Sequence, residues 1–234
     1  MAASDVAIVV GVGPGLGAAL CRRFVRDGLL VAAVARDKDR VTTLAKEVGA
    51  RPYPADTTDE KAVQDLFAAV QRDFGDPALV VYNAGAFLPK AVADTEVAEF
   101  ERCWRIGCLG GFLVGRAAAR AMLPKGRGTI LFTGATASLR GGANFVNLAV
   151  GKFGLRALAQ SMARELGPKG IHVAHVIIDG MIAAEHRQGR SKSERGPDAL
   201  LDDDAIAEAY WQLHRQPRSA WTLEMDLRPW VEKF

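Results

Sequence analysis

The sequence predicts an α/β protein whose single domain, residues 1–234, is a three-layer, doubly wound parallel sheet. Two observations lead to this prediction. Continuous apolar runs rich in valine and isoleucine alternate along the chain with segments of helical period. The chain has 234 residues, which suits one large domain better than two small ones.

The first half of the chain supplies three strand–helix units and a fourth strand. The apolar run at 6–10 predicts a buried strand, and 16–26 predicts a helix that is closed by Gly28. Further strands are expected at 29–35, 51–53 and 78–82. Helices of amphipathic period are expected at 38–48 and 58–74, the second of them capped by Thr57 or Thr58.

The second half continues the alternation. A long helix is expected at 96–122, because Pro124 prevents its continuation. A strand at 129–133, a helix at 147–166 and a strand at 171–178 follow. A last helix is expected at 202–212, where three consecutive aspartates favour the positive end of the helix dipole.

The pattern changes after residue 178. Residues 179–197 are polar and show little periodicity, so they predict a loop at a place where substrate lids occur. We therefore expect a lid of loop and helix at about 179–216, followed by a strand and tail at 217–234. The tail contains Trp221, Trp230 and Phe234, and we expect these aromatic side chains to be buried.

Composition restricts the partners. A formal net charge of +3, with basic residues spread along the chain, argues against nucleic acid or a membrane as the main partner and favours a small-molecule substrate. Three cysteines without metal-type spacing indicate reduced thiols in a cytoplasmic protein. We expect no signal peptide, no membrane-spanning segment and no metal site.

The strongest local motif is a glycine-rich turn between the first strand and the first helix. It consists of Gly11, Gly13, Pro14, Gly15, Leu16 and Gly17, with Val12 between the first two glycines. Glycines let the backbone approach a pyrophosphate closely, and the free N–H groups of the helix start supply hydrogen-bond donors. The turn therefore predicts a dinucleotide site.

The end of the second strand bears on the choice of dinucleotide. Arg36 stands 19 residues after Gly17, where an arginine pairs with the 2′-phosphate of NADP and an acidic residue would bind the ribose of NAD. Asp37 follows directly and keeps NAD open if the strand ends one residue later. Since an aspartate here also suits a helix N-cap, NADP(H) is favoured over NAD(H).

With these residues in place, the chain resembles the short-chain dehydrogenase/reductase family over almost its whole length. Gly11, Gly15 and Gly17 match the family's glycine turn, with Val10 in place of its threonine. The run 128–133 and the segments around Lys152 and 164–173 match later family elements in the correct order. The resemblance implies a Rossmann fold and further cofactor contacts from Asp56, Thr57, Asn83, Ala84, Gly85, Lys152, Gly180 and Ile182.

The same resemblance shows a gap in the catalytic set. Family members use a tyrosine four residues before the lysine, a serine after the fifth strand and an asparagine in the long helix. Here those positions are Leu148, Ala135 and Gly107, and Lys152 alone remains. Leucine cannot donate a proton, so the usual mechanism cannot operate unchanged.

Several polar residues could substitute for the missing set. Thr136, Asn147 and Asp179 are the main candidates beside Lys152. Thr136 could bind a substrate oxygen, Asn147 could hold a polar group or cap its helix, and Asp179 could serve as an acid or carboxamide partner. Weaker candidates are Ser138, Asn144, His186 and Tyr210, while His172 and His175 are expected to be structural.

Two functions remain open at this point. One is an NADP(H)-dependent oxidoreductase with a non-standard proton donor; the other is an NADP-binding protein without turnover that acts as a regulatory or interaction module. The resemblance also implies a homodimer or a two-fold symmetric tetramer, built on the helices 96–122 and 147–166. Small residues on these helices (Gly111, Gly115, Ala117, Ala118, Gly151, Gly154 and Ala157) would let the copies approach closely.

Overall fold

The computed structural model describes residues 5–183 and 198–232, and this part of the chain forms one parallel sheet in the order β3-β2-β1-β4-β5-β6-β7. The strands are β1 Val6–Val10, β2 Leu30–Ala35, β3 Arg51–Pro54, β4 Pro77–Tyr82, β5 Gly128–Thr133, β6 Ile171–Ile178 and β7 Glu224–Leu227. The helices are α1 Leu16–Arg26, α2 Lys38–Val48, α3 Glu60–Phe74, α4 Val97–Trp104, α5 Gly110–Met122, α6 Val146–Leu166 and α7 Asp203–Arg215.

The sheet is covered on both faces, which confirms the three-layer prediction. All residues of β1, β4 and β6 are buried, as expected for parallel strands between two helical layers. One apolar layer packs Leu20, Phe24 and Trp211 of α1 and α7 against the sheet. The other packs residues of α3, α5 and α6, among them Leu66 and Leu155. Strand order reverses direction between β1 and β4, and a crevice opens at that point.

Three helix starts differ from the sequence prediction. Helix α3 begins at Glu60 and is capped by Asp59, whose carboxylate accepts from the N–H of Ala62 at 2.8 Å, so neither threonine caps it. Helix α6 begins at Val146, and the interpretation of Asn147 as its cap is therefore wrong. Helix α7 is capped by Asp202 and extends to Arg215. In the two capped cases an aspartate supplies the acceptor that the first helical N–H groups need.

The long helix predicted at 96–122 is interrupted. A π-helical turn at Arg105–Leu109 joins α4 to α5 and contains Gly107, the position that corresponds to the family's asparagine. By length and composition alone, Val97–Lys125 is apolar enough to span a membrane, contrary to the expectation that no such segment exists. Half of the most apolar 18-residue stretch of this segment is buried inside the fold, as in the core helix of a globular domain.

The small residues on the two long helices serve contacts within the chain. A Cβ added to Gly107 would lie 3.3 Å from the Cα of Gly151, and one added to Gly154 would lie 2.7 Å from the Cys108 sulfur. A Cβ on Gly115 would meet the Phe132 ring at 2.9 Å. Gly115 and Gly154 therefore accommodate neighbours in the same chain, while close approach between copies on these helices stays a prediction.

The C-terminal segment completes the sheet, but its aromatic residues are not uniformly buried. Strand β7 pairs in parallel with β6, as the expected strand at 217–234 requires. The Trp221 ring stacks on His172 with ring centroids 4.9 Å apart. Trp230 is 77 % exposed in the single chain, against the expectation of burial, and Phe234 lies outside the described residues.

Candidate cofactor and substrate site

The candidate site lies at the carboxyl ends of β1 and β4, where the strand order reverses. A cavity of about 760 Å³ opens there, lined by the ends of β1, β2 and β4 and by the loops that follow them. A second cavity of about 540 Å³ adjoins it and is lined by the glycine turn, Leu148 and Ile182. Both volumes lie in the range of ligand sites, and the crevice is where doubly wound sheets bind nucleotides.

The glycine turn is shaped so that side chains would not fit. Gly11 has φ +88°, and a Cβ there would lie 2.6 Å from the backbone nitrogen of Ala84. A Cβ on Gly17 would lie 2.7 Å from the carbonyl oxygen of Gly11. Gly13 faces open space, and Gly15 is the N-cap of α1 without a side-chain hydrogen bond. Pro14, Gly15 and Leu16 line the second cavity, so the helix start faces it as a pyrophosphate cradle requires.

The adenosine end of the crevice carries two arginines. Arg36 and Arg40 both line the larger cavity. Asp37 accepts a hydrogen bond from the N–H of Arg40 at 3.0 Å and so caps α2, in agreement with the N-cap interpretation of this residue. Sequence reasoning missed Arg40; its spacing of four residues from Arg36 at a helix start was the available signal.

Asp56 and Thr57 line the same cavity from the loop after β3. The Asp56 carboxylate accepts hydrogen bonds from the N–H and the hydroxyl of Thr58, both at 2.9 Å, and this fixes the side chain at the cavity edge. Thr57 is buried. The two residues therefore form a preorganised polar rim on the adenosine side of the crevice.

Asn83 connects β4 to the glycine turn. Its side-chain amide donates to the carbonyl of Gly11 at 3.1 Å, and its backbone N–H donates to Val10 at 2.9 Å. Ala84 and Gly85 follow and line the larger cavity. The amide of Asn83 thus holds the turn in place, while the backbone of the next two residues forms the cavity wall.

Lys152 lies behind this wall. Its ammonium group donates to the carbonyl of Thr133 at 2.7 Å, and a Cβ on Gly85 would lie 3.6 Å from its nitrogen. The side chain is only 5 % exposed. Burial disfavours the charged form and lowers the pKa of Lys152 to about 8. A lysine with this pKa can gain or lose a proton near neutral pH.

The hydroxyl groups of Thr136 and Ser138, close in sequence to Ala135, already have hydrogen-bond partners. Thr136 donates to the carboxylate of Asp179, which lies 3.3 Å from the guanidinium of Arg228 in an ion pair. Ser138 is fully buried and accepts from the N–H of Ala135 at 3.1 Å. Thr136 is thus engaged as a donor and Asp179 as an acceptor, so neither offers a free proton to a substrate.

Asn147 and Tyr210 are buried and hydrogen-bonded within the chain. The amide of Asn147 donates to the carbonyl of Leu88 at 3.1 Å, which ties α6 to the loop after β4. The hydroxyl of Tyr210 is 2.8 Å from that of Thr133, and the Tyr210 side chain is fully buried. Tyr210 therefore packs in the core, and His186 lies outside the described residues.

Two histidines are structural, as expected. His172 hydrogen-bonds the carbonyl of Thr222 at 2.8 Å, and His175 lies 3.0 Å from the carboxylate of Glu224. Burial outweighs the carboxylate and lowers the pKa of His175 to about 4, so this ring is neutral at pH 7. Within the described part of the chain, no group of three or more metal-type ligands occurs.

The last two expected cofactor contacts, Gly180 and Ile182, lie in the segment after β6 and have different surroundings. Ile182 lines the second cavity and bridges to Leu201. Gly180 has φ +152°, and a Cβ there would lie 2.7 Å from Pro229, so the glycine allows the tail to pack against this loop. Its contact is with the tail, whereas Ile182 faces the cavity.

A glycine turn at the reversal point of a doubly wound sheet, with a buried lysine behind it, defines a dinucleotide-binding α/β protein. Comparison with known proteins then gives the family. The model of the short chain dehydrogenases matches residues 5–195, so the chain belongs to that family.

Individual relatives agree with this assignment. The sorbitol-6-phosphate 2-dehydrogenase of Escherichia coli is 30 % identical over 187 residues, which are 76 % of this chain and 72 % of that enzyme. A short-chain dehydrogenase structure from Rhodopseudomonas palustris is 38 % identical, with a TM-score of 0.80, and 97 % and 99 % of the two chains are covered. An alcohol dehydrogenase of Thermococcus sibiricus, complexed with 5-hydroxy-NADP, is 25 % identical with a TM-score of 0.85 over 98 % of each chain.

Proposed function

We propose that the protein is an NADP(H)-dependent oxidoreductase that transfers hydride to or from a small organic substrate. The observation that carries this proposal is the position of Lys152. Its nitrogen donates to the carbonyl of Thr133 and lies directly behind Gly85, whose backbone lines both cavities. Leu148, one helical turn earlier on α6, lines the adjoining cavity. A cofactor site and a substrate-sized cavity therefore share one wall.

The preference for NADP(H) is supported by charge. Arg36 and Arg40 both line the adenosine end of the crevice, where a 2′-phosphate would add negative charge. Asp37, the acidic residue that could bind the ribose of NAD, is already engaged with the N–H of Arg40. Two arginines thus line this end of the crevice beside Asp37, so the cations outnumber the carboxylate that the N–H of Arg40 already engages.

Titration of NADPH and NADH by fluorescence tests this preference. NADPH should bind more tightly than NADH. Arg36→Ala should lower the affinity for NADPH about ten- to a hundredfold and leave the affinity for NADH nearly unchanged, because a charge-assisted hydrogen bond contributes roughly 1.5–3 kcal/mol. Arg120→Ala is the matched control, because Arg120 is exposed on α5 and lines neither cavity. Equal affinity for the two cofactors, or an undiminished preference in Arg36→Ala, would contradict the proposal.

In this chemistry, the chain's own residues bind the cofactor, orient it and supply a proton. The nicotinamide, when bound, supplies or accepts the hydride. The glycine turn binds the pyrophosphate, and Lys152 holds the ribose. Leu148 and Ala135 offer no hydroxyl, and among the described residues Lys152 is the group that we propose as proton donor, with water as the alternative. The position of the Lys152 pKa, about 8, suits a group that donates a proton near neutral pH.

A second candidate function, NADP binding without turnover, is favoured by the hydroxyl groups of Thr136 and Ser138, which already have hydrogen-bond partners. Thr136 is bound to Asp179, and Ser138 is buried, so a protein that binds NADP without turnover would have the same geometry. Such a protein would act through a partner whose affinity changes with cofactor occupancy. Oxidation of NADPH over a panel of ketones, imines and enones separates the two functions, because only the oxidoreductase consumes the cofactor.

The assembly that we propose is a homodimer or a two-fold symmetric tetramer in the cytoplasm. Large apolar side chains are exposed on α4–α6, although the glycines of these helices pack inside the chain. They are Trp104, Phe112, Val150 and Phe153, each between 36 % and 43 % exposed. Exposed apolar residues on three successive helices suit an interface between copies.

A further inference from the structure

The second cavity, which the glycine turn lines on one side, has an apolar wall on its other side. Its lining beyond the glycine turn includes Ala86, Phe87, Leu148 and Ile182. The charged residue of the described lining is Arg40, which is shared with the adenosine-side cavity. A sugar or an organic acid would leave polar groups unpaired against the apolar wall, whereas an uncharged apolar compound would not.

An aromatic pair stands at the rim of this cavity. The rings of Phe87 and Phe145 lie 4.8 Å apart at an angle of 42°. Phe87 is 52 % exposed and Phe145 is 38 % exposed, so a flat molecule entering the cavity can lie against their free faces. An aromatic pair that is exposed on one side is the feature that a ring-containing ligand would cover.

The rim is held in place by hydrogen bonds. The N–H of Lys90 donates to the carbonyl of Asn144 at 3.1 Å, and the amide of Asn147 donates to the carbonyl of Leu88 at the same distance. Both contacts join the loop after β4 to the start of α6. The two phenylalanines therefore form a preorganised surface, which reduces the entropy lost on binding.

The position of the apolar wall restricts the kind of hydride acceptor. When a simple ketone is reduced, negative charge develops on the oxygen bonded to the reacting carbon. In the family's arrangement, that oxygen would face the positions held here by Leu148 and Ala135, whose side chains have no hydrogen-bond donor. In an α,β-unsaturated ketone, hydride reaches the β-carbon and the charge develops on an oxygen three bonds away. The reacting carbon can then contact the apolar wall while the oxygen points to water at the open rim.

We infer that the substrate is an uncharged, ring-containing α,β-unsaturated ketone, reduced at its carbon–carbon double bond; this inference rests on the proposed NADP(H) function. One hydride and one proton add across the double bond. NADPH gives a hydride to the β-carbon and becomes NADP⁺, the electron pair of the double bond moves to form an enolate, and water supplies one proton to the α-carbon. Phe87 and Phe145 bind the ring, and Leu148 contacts the reacting carbon.

A matched pair of probes tests this inference. Benzylideneacetone is an aryl enone, and benzylacetone is the corresponding saturated ketone. We expect the protein to convert the enone into benzylacetone with consumption of NADPH, and to reduce benzylacetone itself at least tenfold more slowly. Formation of the allylic alcohol, equal rates for the two compounds, or no turnover of the enone would overturn the inference.

Binding gives a readout that does not depend on turnover. Calorimetry with the NADP⁺-loaded protein should show that Phe87→Ala lowers the affinity for benzylideneacetone about tenfold, because a contact between two aromatic rings is lost. Leu30→Ala is the control, since Leu30 is 39 % exposed at the opposite end of the strands. Unchanged enone affinity in Phe87→Ala would refute the aromatic site. Failure of NADPH itself to bind would instead refute the proposed function.

Discussion

Lys152→Met provides a direct test of how strongly the site desolvates its lysine. The side chain is 5 % exposed, and its ammonium group has the carbonyl of Thr133 as its hydrogen-bond partner. Burial lowers the pKa of Lys152 from the usual 10.5 to about 8. A difference of this size corresponds to roughly 3 kcal/mol that opposes folding with the charged amine.

The sign of the pH dependence follows from the two pKa values. Between pH 8 and 10.5 the unfolded chain binds more protons at this lysine than the folded chain, so folding stability rises with pH. Methionine has a similar shape and no charge, and it loses one hydrogen bond of about 1 kcal/mol. The variant should therefore be about 2 kcal/mol more stable than wild type at pH 7, and this advantage should shrink by roughly 1 kcal/mol at pH 9.

Urea unfolding of both proteins at pH 7, 8 and 9 measures this difference. Other groups, such as the buried thiol of Cys21, are present in both proteins and cancel in the comparison. Lys46→Met is the control, because Lys46 is exposed on α2 and the same side-chain change is made there without burial. A Lys152→Met difference that stays constant from pH 7 to pH 9 would refute the desolvation argument. The variant should also lose NADPH affinity through the missing ribose contact.

Two further predictions concern catalysis and assembly. The double change Ala135→Ser with Leu148→Tyr should raise ketone reduction by NADPH at least tenfold, whereas Leu148→Tyr alone should restore little; removal of an oxyanion donor from an active site typically costs a hundredfold or more. Brisk ketone reduction by wild type, or an inert double variant that still binds NADPH, would contradict this reading of the site. Phe153→Asp should convert the expected dimer or tetramer to monomer in light scattering, because it places a charge on an exposed apolar helix face. A wild-type protein that is monomeric at micromolar concentration would refute the proposed assembly.

The sequence predicted those features that depend on neighbouring residues. Apolar runs and helical periods located the strands and helices to within a few residues, because parallel strands buried on both faces are apolar throughout. The glycine turn was predictable for the same reason, since backbone conformation is decided locally. Asp37 could be interpreted as a cap from its position alone, and the structure shows this contact.

Contacts between distant segments could not be predicted in this way. Thr136 and Asp179 are 43 residues apart, and the arginine that pairs with this aspartate lies in the tail beyond α7. No periodicity connects these positions, so the sequence suggested free catalytic groups where the structure has an ion-paired network. The same limit applies to Gly151, since a glycine indicates close approach without indicating which element approaches.

The missing catalytic asparagine is part of a repacked interior. Tyr82, which replaces an asparagine of the family, donates its hydroxyl to the carbonyl of Ile106 at 2.6 Å, directly beside Gly107. A Cβ on Gly110 would lie 2.3 Å from that hydroxyl, and one on Gly107 would lie 3.3 Å from the α6 backbone. The phenol therefore fits only because Gly110 has no side chain, and position 107 has little room for one. An asparagine at position 107 would therefore require the α6 backbone at Gly151 to shift by a few tenths of an ångström. Where the resemblance places the family's asparagine, the structure thus has two closely packed glycines on neighbouring helices, and this proximity could not be predicted from the sequence because residues 107 and 151 are far apart along the chain.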